Sequence, residues 1–179
     1  MRDIKLLVLN VDGVLTDGGI AYGGGHKIKS FSVKDSLILK ALPHVGISVV
    51  LFMGFASEAV RQYAVELSSE LIENTADKQS VLERILTERG LTFADVAYIG
   101  NDLNNFAVMK RCGFKACPTD VDVKVKMLAD YISPYPGGHG AVYDVCEKLP
   151  QASDLHDVCE KLLQASAMEE SFLRLFNAL

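Results

Sequence analysis

A doubly wound parallel α/β sheet is the fold this chain predicts, and three observations predict it. Short apolar runs (Leu6–Leu9, Ile47–Phe52, Val96–Ile99, Phe114–Cys117) alternate with segments of helical periodicity. The runs are apolar at nearly every position, as strands covered on both faces are. The first run ends in two polar side chains two positions apart, Asn10 and Asp12, followed by Gly13. Residues i and i+2 project to one side of a strand, so these two share its carboxyl end, where open α/β sheets place their chemistry.

Each element has its own signal. Two short runs around the glycine cluster Gly23–Gly25 predict a β-hairpin over 19–33, either a flap, a pairing surface for another subunit or a plain surface hairpin. Lys34–Leu42 reads as a short helix broken by Pro43 and Gly46. After the strand Ile47–Phe52, Ser57 is a candidate N-cap for a helix Glu58–Leu67 with Ala59, Val60, Tyr63, Ala64 and Leu67 at helical spacing. Leu71-Ile72 is a short strand. Asp77-Lys78-Gln79 opens a helix that buries Val81, Leu82, Ile85 and Leu86 and stops at Gly90. Beyond Val96–Ile99 come a helix Phe106–Arg111, the strand Phe114–Cys117, a helix Val121–Ala129 and a last strand Tyr131-Ile132.

The C-terminal part repeats itself. Asp144–Ser153 recurs as Asp157–Ser166, with only Pro150 and Leu163 different. This is a tandem duplication too short to build a repeat architecture. Pro150 is expected to end the helix of the first copy, since its ring cannot continue one. We therefore divide the chain into a main domain, 1–149, and a helical tail, 150–179. In the tail Leu155, Val158, Cys159, Leu162, Met168, Phe172, Leu173 and Phe176 fall on one helical face. That face packs on its own domain or on a partner.

Composition excludes several classes. The 179 residues suffice for one domain with a real core, and 49% apolar with 23% charged residues is no disordered chain. A net charge of −5 argues against nucleic acid or an anionic membrane as partner. No apolar run approaches the roughly 20 residues of a membrane span, and the chain goes almost directly into its first strand, leaving no room for a signal peptide. Cys112, Cys117, Cys146 and Cys159 lack metal-ligand spacing and read as free thiols of a reducing, cytoplasmic setting.

Four stretches carry a family resemblance: Asp12–Gly18 (DGVLTDG), Phe31–Asp35 (FSVKD), Val96–Gly100 (VAYIG) and Gly137–Val142 (GGHGAV). With them the chain resembles the haloacid dehalogenase (HAD) superfamily over roughly Ile4–Leu149. It is most similar to the small cap-less branch of 3-deoxy-manno-octulosonate 8-phosphate (KDO 8-phosphate) phosphatase. The HAD-like C-terminal domain of animal CMP-sialic acid synthetases belongs to the same branch.

The resemblance implies a site, and the residues at its positions are unusual. The family's aspartate nucleophile, which becomes an aspartyl-phosphate, corresponds to Asn10, and the general acid/base to Asp12. An amide has no anionic oxygen with which to attack phosphorus. Magnesium is implied at Asn10, Asp12 and Asp102, where it would neutralise charge on the phosphate. Phosphate binding is implied at Met53, Gly54 and Lys78. Met53 takes the place of the usual hydroxyl residue and Phe55 that of the basic one. Lys78 fits the lysine that stabilises the phosphorylated aspartate; otherwise it is a solvated residue in a helix's first turn. Gly100-Asn101-Asp102-Leu103-Asn104-Asn105 keeps one of three expected acids, Asp102, as a cation ligand or a loop cap. The segment Pro136–Gly140 resembles a tail that reaches a neighbouring subunit in a tetramer, with Tyr143 where a basic residue usually stands.

The expectation is a catalytically impaired KDO 8-phosphate phosphatase-like protein of acidic-sugar (KDO or sialic acid) metabolism, with magnesium weak or absent. It would act as an oligomerising or regulatory module: a homo-oligomer, by resemblance a tetramer, with a sugar-acid phosphate ligand and a separate nucleotidyltransferase as candidate partners. The alternatives are an active magnesium-dependent sugar-acid phosphatase, or a protein that holds a phosphorylated sugar without cleaving it.

Overall fold

The computed structural model describes residues 3–24, 26–75 and 77–176; the side chains of His26 and of 167–176 lie outside the description. Its centre is a six-stranded sheet in the order β5-β4-β1-β6-β7-β8, parallel throughout. The strands are β1 Leu6–Asn10, β4 Ser48–Met53, β5 Glu70–Glu73, β6 Val96–Ile99, β7 Phe114–Cys117 and β8 Tyr131–Ile132. The chain builds outward from β1 through β4 to β5, then returns to the other side of β1 for β6, β7 and β8. That reversal opens a crevice at the carboxyl ends of β1, β4 and β6.

Strand β1 shows why the sheet is buried on both faces. Leu7 and Leu9 join a core with helices α1 (Val33–Ala41), α2 (Glu58–Glu66), α6 (Ala141–Cys146) and α7 (Ala152–Phe176). Leu6 and Val8 join another with α3 (Lys78–Arg89), α4 (Phe106–Met109) and α5 (Val123–Leu128). The alternation is the two-residue period of a pleated strand with helices on either side. All four cysteines are buried free thiols. No described helix is long and apolar enough to cross a membrane.

Several boundaries differ from the sequence reading. The expected hairpin over 19–33 pairs only Ala21–Gly23 (β2) with His26–Ile28 (β3). Ser32 then caps α1, accepting the Asp35 N–H at 3.3 Å. Ser57 precedes α2 but makes no side-chain cap; its own N–H donates to Glu73 at 3.1 Å. Residue 150 is not a packing boundary. Leu155 and Cys159 of α7 are buried in the main core, with Val158 and Leu162 packed against it, so this stretch of the tail belongs to its own domain. The expected apolar positions Met168, Phe172, Leu173 and Phe176 lie outside the described side chains.

The glycine-rich segment is likewise seated on its own chain. The Gly138 N–H donates to the Val14 carbonyl at 2.9 Å, and a Cβ at Gly137 would stand 2.3 Å from the Gly13 oxygen. Only glycine permits this approach, which braces the loop after β1. The buried Asp35 carboxylate completes the brace, accepting the N–H groups of Gly140 at 3.1 Å and Tyr143 at 2.8 Å.

Candidate active site

Asn10 closes β1, and the chain turns sharply at once through Gly13, whose φ of 77° suits a residue without a Cβ. A side chain at Gly13 would collide with the Asn101 amide, 2.1 Å from the Cβ position. Asn101 can therefore lie over the first loop. The result is a cleft of about 400 Å³ lined by Asn10, Asp12, Met53, Lys78, Asn101 and Asp102 among others. Every residue assigned to the site from the sequence lines this cleft, Gly54 included.

The cleft is ordered by a network of amides around one lysine. The Lys78 ammonium donates to side-chain oxygens of Asn10 at 3.0 Å, Asn105 at 2.7 Å and Asn104 at 3.4 Å. Lys78 is set there by its helix: Asp77 caps α3, accepting the Ser80 N–H at 3.0 Å, so Lys78 is the first helical residue. The Asn10 amide nitrogen donates to the Asp12 backbone oxygen at 2.9 Å and to Asn101 Oδ1 at 2.7 Å. Lys78 is buried, so it is not the solvated first-turn lysine that the sequence alone allowed. Burial pushes its pKa down to about 8, against the upward pull of the Asp102 charge.

The acids stand apart from this network. Asp12 forms an ion pair with Lys29, and the Thr16 hydroxyl donates to the same carboxylate oxygen at 3.4 Å. Asp102 is exposed at the rim and accepts the Leu103 N–H at 2.6 Å, the loop-capping role. Among the described residues no group of three His, Cys, Asp or Glu side chains is placed to hold a metal ion. Met53 is buried and Phe55 is 81% exposed, so neither offers an anion a donor side chain.

Two members of the site escaped the sequence reading. Lys29 directly follows β3, and only the fold-back of the hairpin brings it to Asp12. Tyr98 sits in an apolar run, yet its hydroxyl donates to Asn105 Oδ1 at 3.0 Å. A tyrosine inside a buried strand needs a hydrogen-bond partner, and that was the available signal.

No family model matches the chain. The 3-deoxy-D-manno-octulosonate 8-phosphate phosphatase KdsC of Escherichia coli K12 is 32% identical over 150 residues, 83% of this chain and 80% of its own length. The chain belongs to the KDO 8-phosphate phosphatase family of HAD proteins.

Solved structures of that family agree. The KDO 8-phosphate phosphatase of Moraxella catarrhalis, in complex with magnesium, phosphate and KDO, has a TM-score of 0.80 at 32% identity, over 90% of this chain and 92% of that one. The cobalt-bound enzyme of Haemophilus influenzae has a TM-score of 0.78 at 30% identity, over 84% of this chain and 89% of that one. The cleft of this chain is lined by three asparagines, at 10, 101 and 104, and Asn105 lies buried beneath them, holding Lys78.

Proposed function

We propose that this protein is a KDO 8-phosphate phosphatase-type HAD protein in which the covalent phosphatase route is closed. It serves acidic-sugar metabolism as an oligomerising or regulatory module that retains a cleft for a sugar-acid phosphate. The observation that carries this reading is the state of Asn10. Its Oδ1 is a neutral amide oxygen held at 3.0 Å from the Lys78 ammonium, and its nitrogen is committed to Asn101. An aspartyl-phosphate needs an anionic oxygen there, and an amide oxygen already accepting from an ammonium has almost no nucleophilicity. A homotetramer and a separate nucleotidyltransferase partner belong to the same proposal. The exposed Ile20, Tyr22 and Ile28 on and beside the hairpin support a surface that pairs with another subunit.

A second reading, an active magnesium-dependent sugar-acid phosphatase using Asp12 and Asp102 around a water, is favoured by the relatives. The Escherichia coli and Moraxella catarrhalis proteins are both KDO 8-phosphate phosphatases, the latter in complex with magnesium and phosphate.

Phosphate release from KDO 8-phosphate with magnesium, by the natural chain and by Asn10→Asp, separates the two. The first reading expects no release by the natural chain and measurable release by the variant. Turnover by the natural chain that is lost in Asp12→Asn establishes the second.

A further inference from the structure

In this cleft two nitrogen atoms occupy oxygens of Asp12, one of the residues at which magnesium is implied, and of its neighbour Asn101. The Asn10 amide nitrogen bridges the Asp12 backbone oxygen at 2.9 Å and Asn101 Oδ1 at 2.7 Å. Which end of the amide faces them is decided chemically. Lys78 is a donor only, so Oδ1 must face it, and Nδ2 then faces two acceptors. Turning the amide over would press N–H against an ammonium and oxygen against oxygen. The Asp12 carboxylate beside this pair is taken by Lys29. The Lys29 side chain is only 4% exposed and lies beside the Phe31 and Tyr63 side chains of a neighbouring groove, so this is a built-in contact and no chance surface pair.

Magnesium demands oxygen ligands at about 2.0–2.1 Å in near-octahedral array, and it favours carboxylates. To enter here it would have to turn the Asn10 nitrogen away and displace Lys29. It would then sit among two ammonium groups, Lys29 and Lys78, with Asp12 and the exposed Asp102 as the only charged ligands among the described residues. The residues present do not fit the cation that the solved relatives hold.

We propose that the Asn10 amide nitrogen and the Lys29 ammonium together act as a built-in substitute for the divalent cation, so that the cleft keeps its shape without metal. The exclusion of metal rests on these contacts alone.

The test is metal binding by the full chain in the absence of substrate, followed by calorimetry and by thermal melting in magnesium chloride against EDTA. For the natural chain we expect no saturable heat, and a melting temperature that differs by less than ~1 °C between the two conditions. Asn10→Asp, and separately Asn101→Asp in case the first folds poorly, should gain a saturable magnesium-dependent rise. Saturable magnesium binding by the natural chain that Asp12→Asn abolishes overturns the proposal. Natural chain and variants alike without response also overturn it, because the amides would then not be what excludes the ion. Metal binding without phosphate release would refute this inference and leave the closed covalent route standing, so the two fail separately.

Discussion

Lys78 and Asn105 meet at 2.7 Å beneath the cleft floor, where the same Asn105 oxygen also accepts the Tyr98 hydroxyl at 3.0 Å. A buried ammonium is thus held by neutral amide oxygens, which satisfy its hydrogen bonds but only partly offset the loss of water around its charge. The behaviour of this lysine and of its amide neighbour is the most direct consequence of the amide-rich site.

Stability should depend on pH through Lys78. Its folded pKa is about 8 against an ordinary 10.5. Below pH 8 the amine is charged in both states, and the fold bears the full penalty of burying it. Between pH 8 and 10.5 the folded chain gives up the proton first, so the penalty fades as pH rises. Over that window the natural chain should gain on Lys78→Met by about 3 kcal/mol. Urea melts of both proteins at the two ends of the window measure the difference; a constant gap would contradict it.

Asn105 is fully buried, and its side-chain nitrogen has no partner among the described residues. Asn105→Asp removes that unsatisfied donor and sets a carboxylate beside Lys78. We expect a gain of about 1–3 kcal/mol at neutral pH, read as a higher melting temperature, with the Lys78 amine titrating above its present value. A variant that melts lower than the natural chain would show that desolvating the new charge outweighs the pairing.

Asp35 ties α1 to the glycine segment and α6 through the N–H groups of Gly140 and Tyr143. Asp35→Ala leaves two donors without their acceptor in a site that is 0% exposed at Asp35. The expected loss is about 2–4 kcal/mol. Because the same segment braces the loop after β1, hydrogen exchange at the Gly138 amide should accelerate as well. Unchanged exchange there would separate the clamp from the loop.

The seating of α7 is tested by contrast within one helix. Leu155 is 1% exposed in the main core and Leu163 is 56% exposed. Leu155→Ala should cost about 2–5 kcal/mol by leaving a cavity, and Leu163→Ala less than about 0.5 kcal/mol. Equal, small effects from both in chemical melts would mean that the tail is not held by the core.

Much of the site was legible because its members come in chain order at the ends of apolar runs. Asn10 ends β1 with Asp12 in the turn just after it, Met53 ends β4, and Asn101 to Asn105 follow β6, so assigning the strands assigned the cleft. Lys29 was not legible. Nothing in the spacing of a hairpin says which of its polar residues folds back on the strand before it. The orientation of the Asn10 amide was hidden too, since it depends on Lys78, a residue 68 positions away.

The duplicated decapeptide draws the line between what sequence and tertiary structure decide. In the first copy Asp144–Cys146 ends α6, and 147–149 unwinds into short turns before Pro150; in the second, Asp157–Cys159 lies inside the continuous helix α7. Pro150 accounts for the break, since it disfavours helical geometry in the residue before it and lacks an N–H. Sequence alone thus determined the parallel sheet, the family and the amide-for-acid replacements, because apolar period and motif order are local properties. The tertiary structure decided where α7 is buried, that the glycine segment closes on its own chain, and that Lys29 holds Asp12. Each of these joins residues far apart in the chain, and such contacts are chosen by packing and charge pairing in the folded whole.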